Sequence, residues 1–493
     1  MSNWVKLLKT GAFGLLLAAG NAVATPWIET NDLQARHHLE ALSAMGCFDE
    51  GLTLSWPVNW SAVANGLAAA SDSCQASPHA VWLSAHMQQA ASRSRTATLS
   101  LGGATQEPLF RHFGTQPAGN ADESAAVEFT GHTSAARLQV QYVDDQRDHS
   151  YWRLDGSYVA SRFGNWQIGA GAIDRWWGPG WQSSLAISNN ARPVPGVWFG
   201  RQTPYAPDTA WLHWIGPWNF QMFAGQLENE REISHTKLIG MRLTFRPADF
   251  LQIGMTRLFQ WGGEGRTQSL KSFGKALAGK DNSSDSNPSN QIAGFDFRAS
   301  FPVFGVPSSF YGQAMGEDEA GGLPSKYSAL FGLDAVTSIG TGSQRFFVET
   351  TDTVAGRPFA TAREGVAYEH STYTNGFRYY GRNMATTYES DARATSLGLQ
   401  QFYDNGVVIT ASVTQATLND GGGIRAVVTH GGAEILQSLD QQDVVITELQ
   451  LQHDFLGGRL TWALAVADKE VDTAAGEQDR VTAMAQWSRT FDW

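Results

Sequence analysis

The chain has 493 residues, with 47 Asp+Glu against 35 Lys+Arg and a formal net charge of −12. That acidity argues against a nucleic-acid partner, which rewards basic patches. Beyond the N-terminus no run approaches the ~18 apolar residues of a membrane helix, while 51 Gly, 18 Trp and 11% aromatic residues suit a β-barrel better than a soluble enzyme.

The N-terminus reads as a secretory signal peptide over 1–24. Lys6 and Lys9 precede a short apolar run, Gly11 to Gly20, and Ala22-Val23-Ala24 gives a small-residue cleavage pattern. The mature chain then begins at Thr25 and carries 33 minus 47, or −14, because the leader removes two lysines and no acids. No cysteine stands there to take a lipoprotein anchor.

Residues 25–95 do not alternate and read as a small periplasmic helical domain. A first helix starts at Asn31, with Gln34 completing a capping box and Gly46 as the stop. Ala35, Leu39, Leu42 and Met45 share its apolar face, and His37-His38 are expected at its exposed or core edge. A second helix runs from about Trp60, with Val63, Leu67 and Ala70 inward. A third opens at Ser77-Pro78, an N-cap followed by Pro at the first helical position. Cys47 and Cys74 are the two cysteines, and in an oxidising compartment a disulfide is the simplest reading. It would stabilise its loop by roughly 3 kcal/mol. Two cysteines make a poor metal site, so neither metal nor cofactor is expected.

From residue 96 to 493 the pattern has period two. Ile239, Met241, Leu243 and Phe245 alternate with polar residues such as Arg242 and Thr244, and Leu460, Trp462, Leu464 and Val466 repeat the pattern. The last strand puts Val481, Ala483, Ala485, Trp487, Arg489, Phe491 and Trp493 on one face, apolar except for Arg489. Tight turns fall at Arg246-Pro247-Ala248-Asp249, Asp404-Asn405-Gly406 and Leu456-Gly457-Gly458. Long polar connections fall at 262–290, 317–325, 416–442 and 468–479. Short and long connections alternate, as periplasmic turns and extracellular loops do in an all-β transmembrane barrel. Counting by pattern gives about twenty antiparallel strands. The connection 262–290, with Lys271, Lys275 and Lys280, reads as a surface loop.

One segment breaks the alternation. Between Asp174 and Pro195 stand Asp174, Arg175, Trp176, Trp177, Trp181, Asn189, Asn190 and Arg192, with a bend at Gly178-Pro179-Gly180. Flat aromatic faces stack on sugar rings, and Asn, Asp and Arg supply fixed hydrogen bonds to a glycan. These eight residues are the polysaccharide-binding candidates. The competing reading makes the tryptophans an interfacial girdle and the polar groups braces of a folded-in loop. The strand before the segment runs outward, so the segment is expected to fold back from the extracellular side and narrow the lumen.

Thr25-Pro26-Trp27-Ile28-Glu29, Asn31-Asp32-Leu33, Arg36-His37-His38-Leu39, Trp56-Pro57 and the DRWWGPGW and SNNARPVP stretches of 174–195 together resemble the Wzi-type capsule-assembly outer-membrane protein family. The resemblance implies an 18-stranded barrel with a periplasmic helical bundle. It also implies a non-enzymatic, lectin-like role in holding exported or capsular polysaccharide at the surface of a Gram-negative cell. Outer-membrane lipid or lipopolysaccharide would surround such a monomer, and capsule-export machinery is a candidate partner. The alternative is an outer-membrane porin or sugar channel, which an N-terminal domain and a Trp-rich segment in the lumen would oppose. A barrel enzyme is disfavoured. The histidines show no catalytic spacing, and the acid pairs Glu228/Glu230 and Glu317/Glu319 read as solvated loop residues rather than a glycosidase pair.

Overall fold

A computed structural model describes residues 26–493 except 50, 115, 146, 281–288, 318–325, 358–359 and 427–431. The leader expected at 1–24 and most of the connection expected at 317–325 lie outside the described residues.

Eighteen antiparallel strands close into a barrel. They are β1 Arg95–Ala104, β2 Ala121–Thr130, β3 Ser134–Asp144, β4, β5 Trp166–Gly171, β6 Gly196–Arg201, β7 Trp218–Gln226, β8 Lys237–Ala248 and β9 Leu251–Trp261. Then follow β10 Asn290–Val303, β11 Val306–Glu317, β12 Lys326–Thr337, β13 Ser343–Asp352, β14 Arg393–Phe402, β15 Val408–Leu418, β16 Gln442–Phe455, β17 Gly458–Ala467 and β18 Val481–Asp492. The interrupted strand β4 comprises Trp152–Arg153 and Tyr158–Phe163, both paired with β3. β18 closes on β1 with Thr96 opposite Asp492, so the barrel has no free edge. The pattern count of twenty was too high because 174–195 contributes no wall strand.

The wall is polar inside and apolar outside. In β8, Arg242, Thr244 and Arg246 are buried in the lumen, while Leu243 and Phe245 face outward. The exposed apolar residues Leu138, Val140, Val197, Met255, Phe295, Leu397, Leu449 and Trp462 belong to that outer belt. In hydrocarbon every backbone polar group must be satisfied by the protein, and closure does this. Connections at the end that carries Trp493 are short apart from 202–217, which holds a short 3-10 helix at His213–Ile215: β10–β11 turns on Phe304-Gly305 and β16–β17 on Leu456-Gly457, with positive φ at all four residues. The opposite end carries the long connections. These include 353–392, which follows no period and folds into the lumen; the sequence reading did not single it out.

Among the described residues four helices precede β1: α1 Leu33–Ala44, α2 Trp60–Ala69, α3 Asp72–Gln75 and α4 Pro78–Ser92. The N-cap of α1 is Asp32 rather than Asn31, because its carboxylate accepts from Ala35 N at 2.8 Å and also meets His86 at 3.2 Å. α1 sits in the mouth of the barrel at the turn end and is buried nearly all round. Arg36, His37 and Glu40 are as buried as Leu39, so the edge position expected for His37 and His38 is corrected. Only Met45, expected on the apolar face, is exposed. Ser77 caps α4 through Ala80 N. Cys47 and Cys74 are joined, tying the end of α1 to α3, which precedes the third predicted helix. The connection 262–289 carries a fifth helix, α5 Leu270–Leu277, capped by Ser269 and Ser272, where only a surface loop was expected.

His38 and His79 face each other Nδ1 to Nδ1 at 2.8 Å, across the α1–α4 contact. Burial, with Arg345 and the neighbouring histidines, holds His37 and His38 well below the usual imidazole range, and burial with Arg345 lowers His79 to about 4. The folded state therefore binds fewer protons than the unfolded state between about pH 4 and 6.5, and stability must rise with pH across that window. Amide protection factors over 26–92, each taken relative to the base-catalysed intrinsic exchange rate at that pH, should be lower at pH 5 than at pH 8. His79→Gln should flatten that difference; equal protection of the wild type at both pH values would refute the account.

Candidate functional site

The lumen is filled from both ends. From the long-loop end, residues 172–195 fold inward and meet α1 and the segment 53–59. Trp176 pairs with Trp56 and Trp177 with Ser55 in a short antiparallel bridge. Gly180 allows the close turn, since a Cβ there would lie 2.2 Å from Ser183 O. Glu349 of β13 accepts from the backbone N–H groups of Trp181 (2.7 Å), Gln182 (3.2 Å) and Ser183 (3.0 Å), and from Tyr311 Oη at 3.1 Å. Gln313 of β11 accepts from Leu185 N and donates to Trp177 O. The plug backbone therefore hydrogen-bonds to inward side chains of the wall, as a buried irregular segment must.

The segment 353–392 locks it in place. Asn190 donates to Asn383 O at 3.0 Å and accepts from Arg382 at 3.0 Å. Thr387 Oγ1 donates to Gln182 O, and Tyr368 Oη to Leu185 O. Its hairpin, Arg378–Tyr379 with Arg382–Asn383, places Arg378 against Glu369 and Glu389. Glu228, expected to be a solvated acid, is buried beside Arg231 at 3.2 Å, and Glu317 accepts from Tyr368 N.

The eight candidates divide in two. Trp176, Trp177 and Trp181 are at most 2% exposed and pack inside the plug. Arg175 lies over Phe223 at 4.6 Å and Asn190 is locked as above, so neither offers a free face. Asp174, Asn189 and Arg192 line a polar cavity of about 220 Å³ between the plug and the inner wall of β2 to β4. Arg192 is held by Asp155 at 2.8 Å and Asp148 at 2.9 Å, and it lies over Tyr380. Asp174 opens onto the cavity. Its place inside the barrel, away from bulk solvent though open to the cavity, raises its pKa, and the nearby Asp155 and Glu29 carboxylates act in the same direction.

Several cavity residues were missed from sequence. Arg137, Gln139 and Gln141 alternate along β3 with Leu138 and Val140; that inward polar series was the available signal. Trp27 and Tyr158 border it, buried and packed on each other with ring centroids 4.7 Å apart. Buried atoms of four lining residues, Arg111 Nε, His112 Nδ1, Arg137 Nε and Asn189 Oδ1, have no hydrogen-bond partner among the described residues. A second cavity of about 200 Å³ toward the turn end shares Trp27, Glu29 and Asn31 with the first, and the Glu29–Arg137 ion pair at 2.7 Å stands beside that boundary.

The sequence profile described as capsule assembly protein Wzi matches residues 90–484. The chain belongs to the Wzi capsule assembly family. A solved Wzi of Escherichia coli, described as an outer membrane protein involved in group 1 capsule assembly and a carbohydrate binding β-barrel, superposes with TM-score 0.79 at 27% identity. The match covers 96% of this chain and 100% of that one. A Klebsiella pneumoniae protein, described as an uncharacterized 55.8 kDa protein in the cps region, is 35% identical over 347 residues, which is 69% of this chain and 68% of the relative. The chain is thus a Wzi-type outer-membrane β-barrel.

In this Wzi-type barrel the one histidine cluster with ligand-like spacing among the described residues is His37, His38 and His79, whose ring nitrogens lie within 4.8 Å of one another. Both nitrogens of His37 are already engaged, by Ser343 at 2.6 Å and by Arg345 at 3.3 Å. The guanidinium disfavours a second cation there.

Glu349→Ala leaves three buried plug N–H groups unpaired, at about 1–3 kcal/mol each. The plug should loosen while the wall stays closed. In planar bilayers the variant should show ion-conducting openings that the wild type lacks, with heat-modifiable gel migration retained; a variant as silent as the wild type would show that Glu349 does not latch the plug.

Proposed function

We propose that this barrel is a non-enzymatic, lectin-like protein that binds exported or capsular polysaccharide at the outer face of the outer membrane. The observation that carries the reading is the cavity. It presents carboxylates, guanidiniums and amides of fixed position, the edges of two aromatic rings, and buried polar atoms left without partners. A polar glycan needs such a set, and unpaired buried groups are costly unless water or ligand meets them. At about 220 Å³ the cavity takes a terminal sugar unit or a short stretch of chain. The carbohydrate binding ascribed to the Escherichia coli relative supports the same reading.

In this reading Asp174, Asn189 and Arg192, with Gln139, Gln141 and Trp27, contact the glycan. The plug tryptophans shape the wall that holds them. The long loops face outward, and residues 25–95, preceded by a leader at 1–24, form the periplasmic cap. Free diffusion is disfavoured because α1, the plug and 353–392 occupy the lumen together.

Asp174→Asn and Asn189→Ala should each weaken polysaccharide binding by the purified barrel about 10-fold or more, roughly 1.4 kcal/mol, with the melting temperature nearly unchanged. Trp177→Ala should do the reverse: it should melt earlier, and its folded fraction should bind as the wild type does. Undiminished affinity in both cavity variants would remove the cavity from the proposal.

A further inference from the structure

α5 lies on the outside of the barrel. Phe273 and Ala276 pack on Phe259 and Trp261 of β9, beside Ile239 and Met241 of β8. These are outward positions at the upper edge of the apolar belt. Phe259 is level with Ile239 on one side and with Gln291 on the other, while two rows below, Met255 and Phe295 are half exposed. The helix therefore sits where the wall changes from apolar to polar. Arg257, an outward charge at this level, donates to Ala276 O at the C-terminal end of α5, where the helix dipole favours a cation.

The other surfaces of α5 are sorted by chemistry. Leu270 is 91% exposed and Leu277 40%, both on the flank beside the packed face. Lys271 and Lys275, one turn apart, lie on the side away from the wall, and Lys280 follows within three residues of the helix end. The chain holds eight lysines. Of the six beyond the N-terminal run, three are these, and a fourth, Lys237, stands at the rim of β8 opposite Trp261. An acidic protein that elsewhere carries most of its positive charge on arginine thus gathers ammonium groups on one outward face. Compact ammoniums on long stems suit mobile phosphates, while arginine suits fixed, forked partners. Leucines on one flank and lysines on the side away from the wall give the helix an interfacial, amphipathic character.

We propose that α5 is a lipid-binding site for phosphate-bearing headgroups of the leaflet at the long-loop end. Leu270 and Leu277 lie among acyl chains, and Lys271, Lys275 and Lys280 pair with the phosphates. The site anchors the connection that bears it to the membrane surface. It is independent of the glycan cavity, which lies inside the wall.

The test uses the full barrel, reconstituted and then extracted in mild detergent, with retained lipid counted by native mass spectrometry. A phosphorylated, multiply acylated glycolipid should be retained at least 10-fold better than the same lipid stripped of phosphate. The triple variant Lys271→Ser, Lys275→Ser, Lys280→Ser should lose that preference, and Leu270→Ser with Leu277→Ser should lose retention of both lipids. Heat-modifiable migration reports folding of each variant. Lysine variants that fold and keep the preference would overturn the proposal. So would full displacement of the lipid by millimolar inorganic phosphate, which would make the site a phosphate site alone.

Discussion

Arg36 holds the assembly together. Its guanidinium is wholly buried, lies between Trp181 at 4.1 Å and Phe113 at 4.3 Å, and donates to Pro179 O, Gly180 O and Glu40. Helix α1, the inward-folded segment and the 105–118 connection thus meet on one side chain. Glu40 passes the charge on to Arg298 at 3.0 Å and Arg345 at 3.6 Å of the wall, and Asp334 completes the group. A buried guanidinium without these partners would carry a large desolvation cost. The helix and the plug are therefore placed by each other, and neither position follows from its own residues.

The same logic governs the lumen as a whole. A membrane barrel turns its apolar residues to lipid, so its inner wall is polar and cannot collapse into a dry core. Here that wall is matched by polar backbone and side chains: Arg242 meets Asp296, Ser55 and Leu54 O, and Gln252 meets Thr53 and Ser43. Such networks fix position well because a partial match leaves buried charges unpaired. Along β2 to β4 the match is incomplete, and there the cavity opens.

The wall was legible because side-chain period two is local. Leu243 and Phe245 against Arg242 and Thr244 state the facing of β8 without reference to any other strand. The turn at 456–457 was legible for the same reason, while the turn expected at 246–249 falls at 249–250 because β8 runs on through Ala248. The connection 353–392 was not, since its inward course depends on Arg378 reaching Glu369 and Glu389 and on Arg382 reaching Glu107 and Asn190, partners up to 275 residues away. The 174–195 segment was recognised as exceptional by composition. Composition could not say which of its polar groups would face a void: Asn189 and Asn190 are adjacent and identical, yet one lines the cavity and the other is locked to the hairpin.

By itself the sequence determined the barrel, its inside-out polarity, the alternation of most of its connections and the Ser77-capped helix ahead of it. Each rests on periodicity or on contacts a few residues apart. The tertiary structure decided that α1 enters the barrel mouth, that the tryptophans of 174–195 are buried inside the plug and not at the surface, that α5 lies against the outer face, and where the polar cavity remains. Those outcomes depend on long-range pairing of buried polar groups, and such pairing leaves no local pattern in a chain.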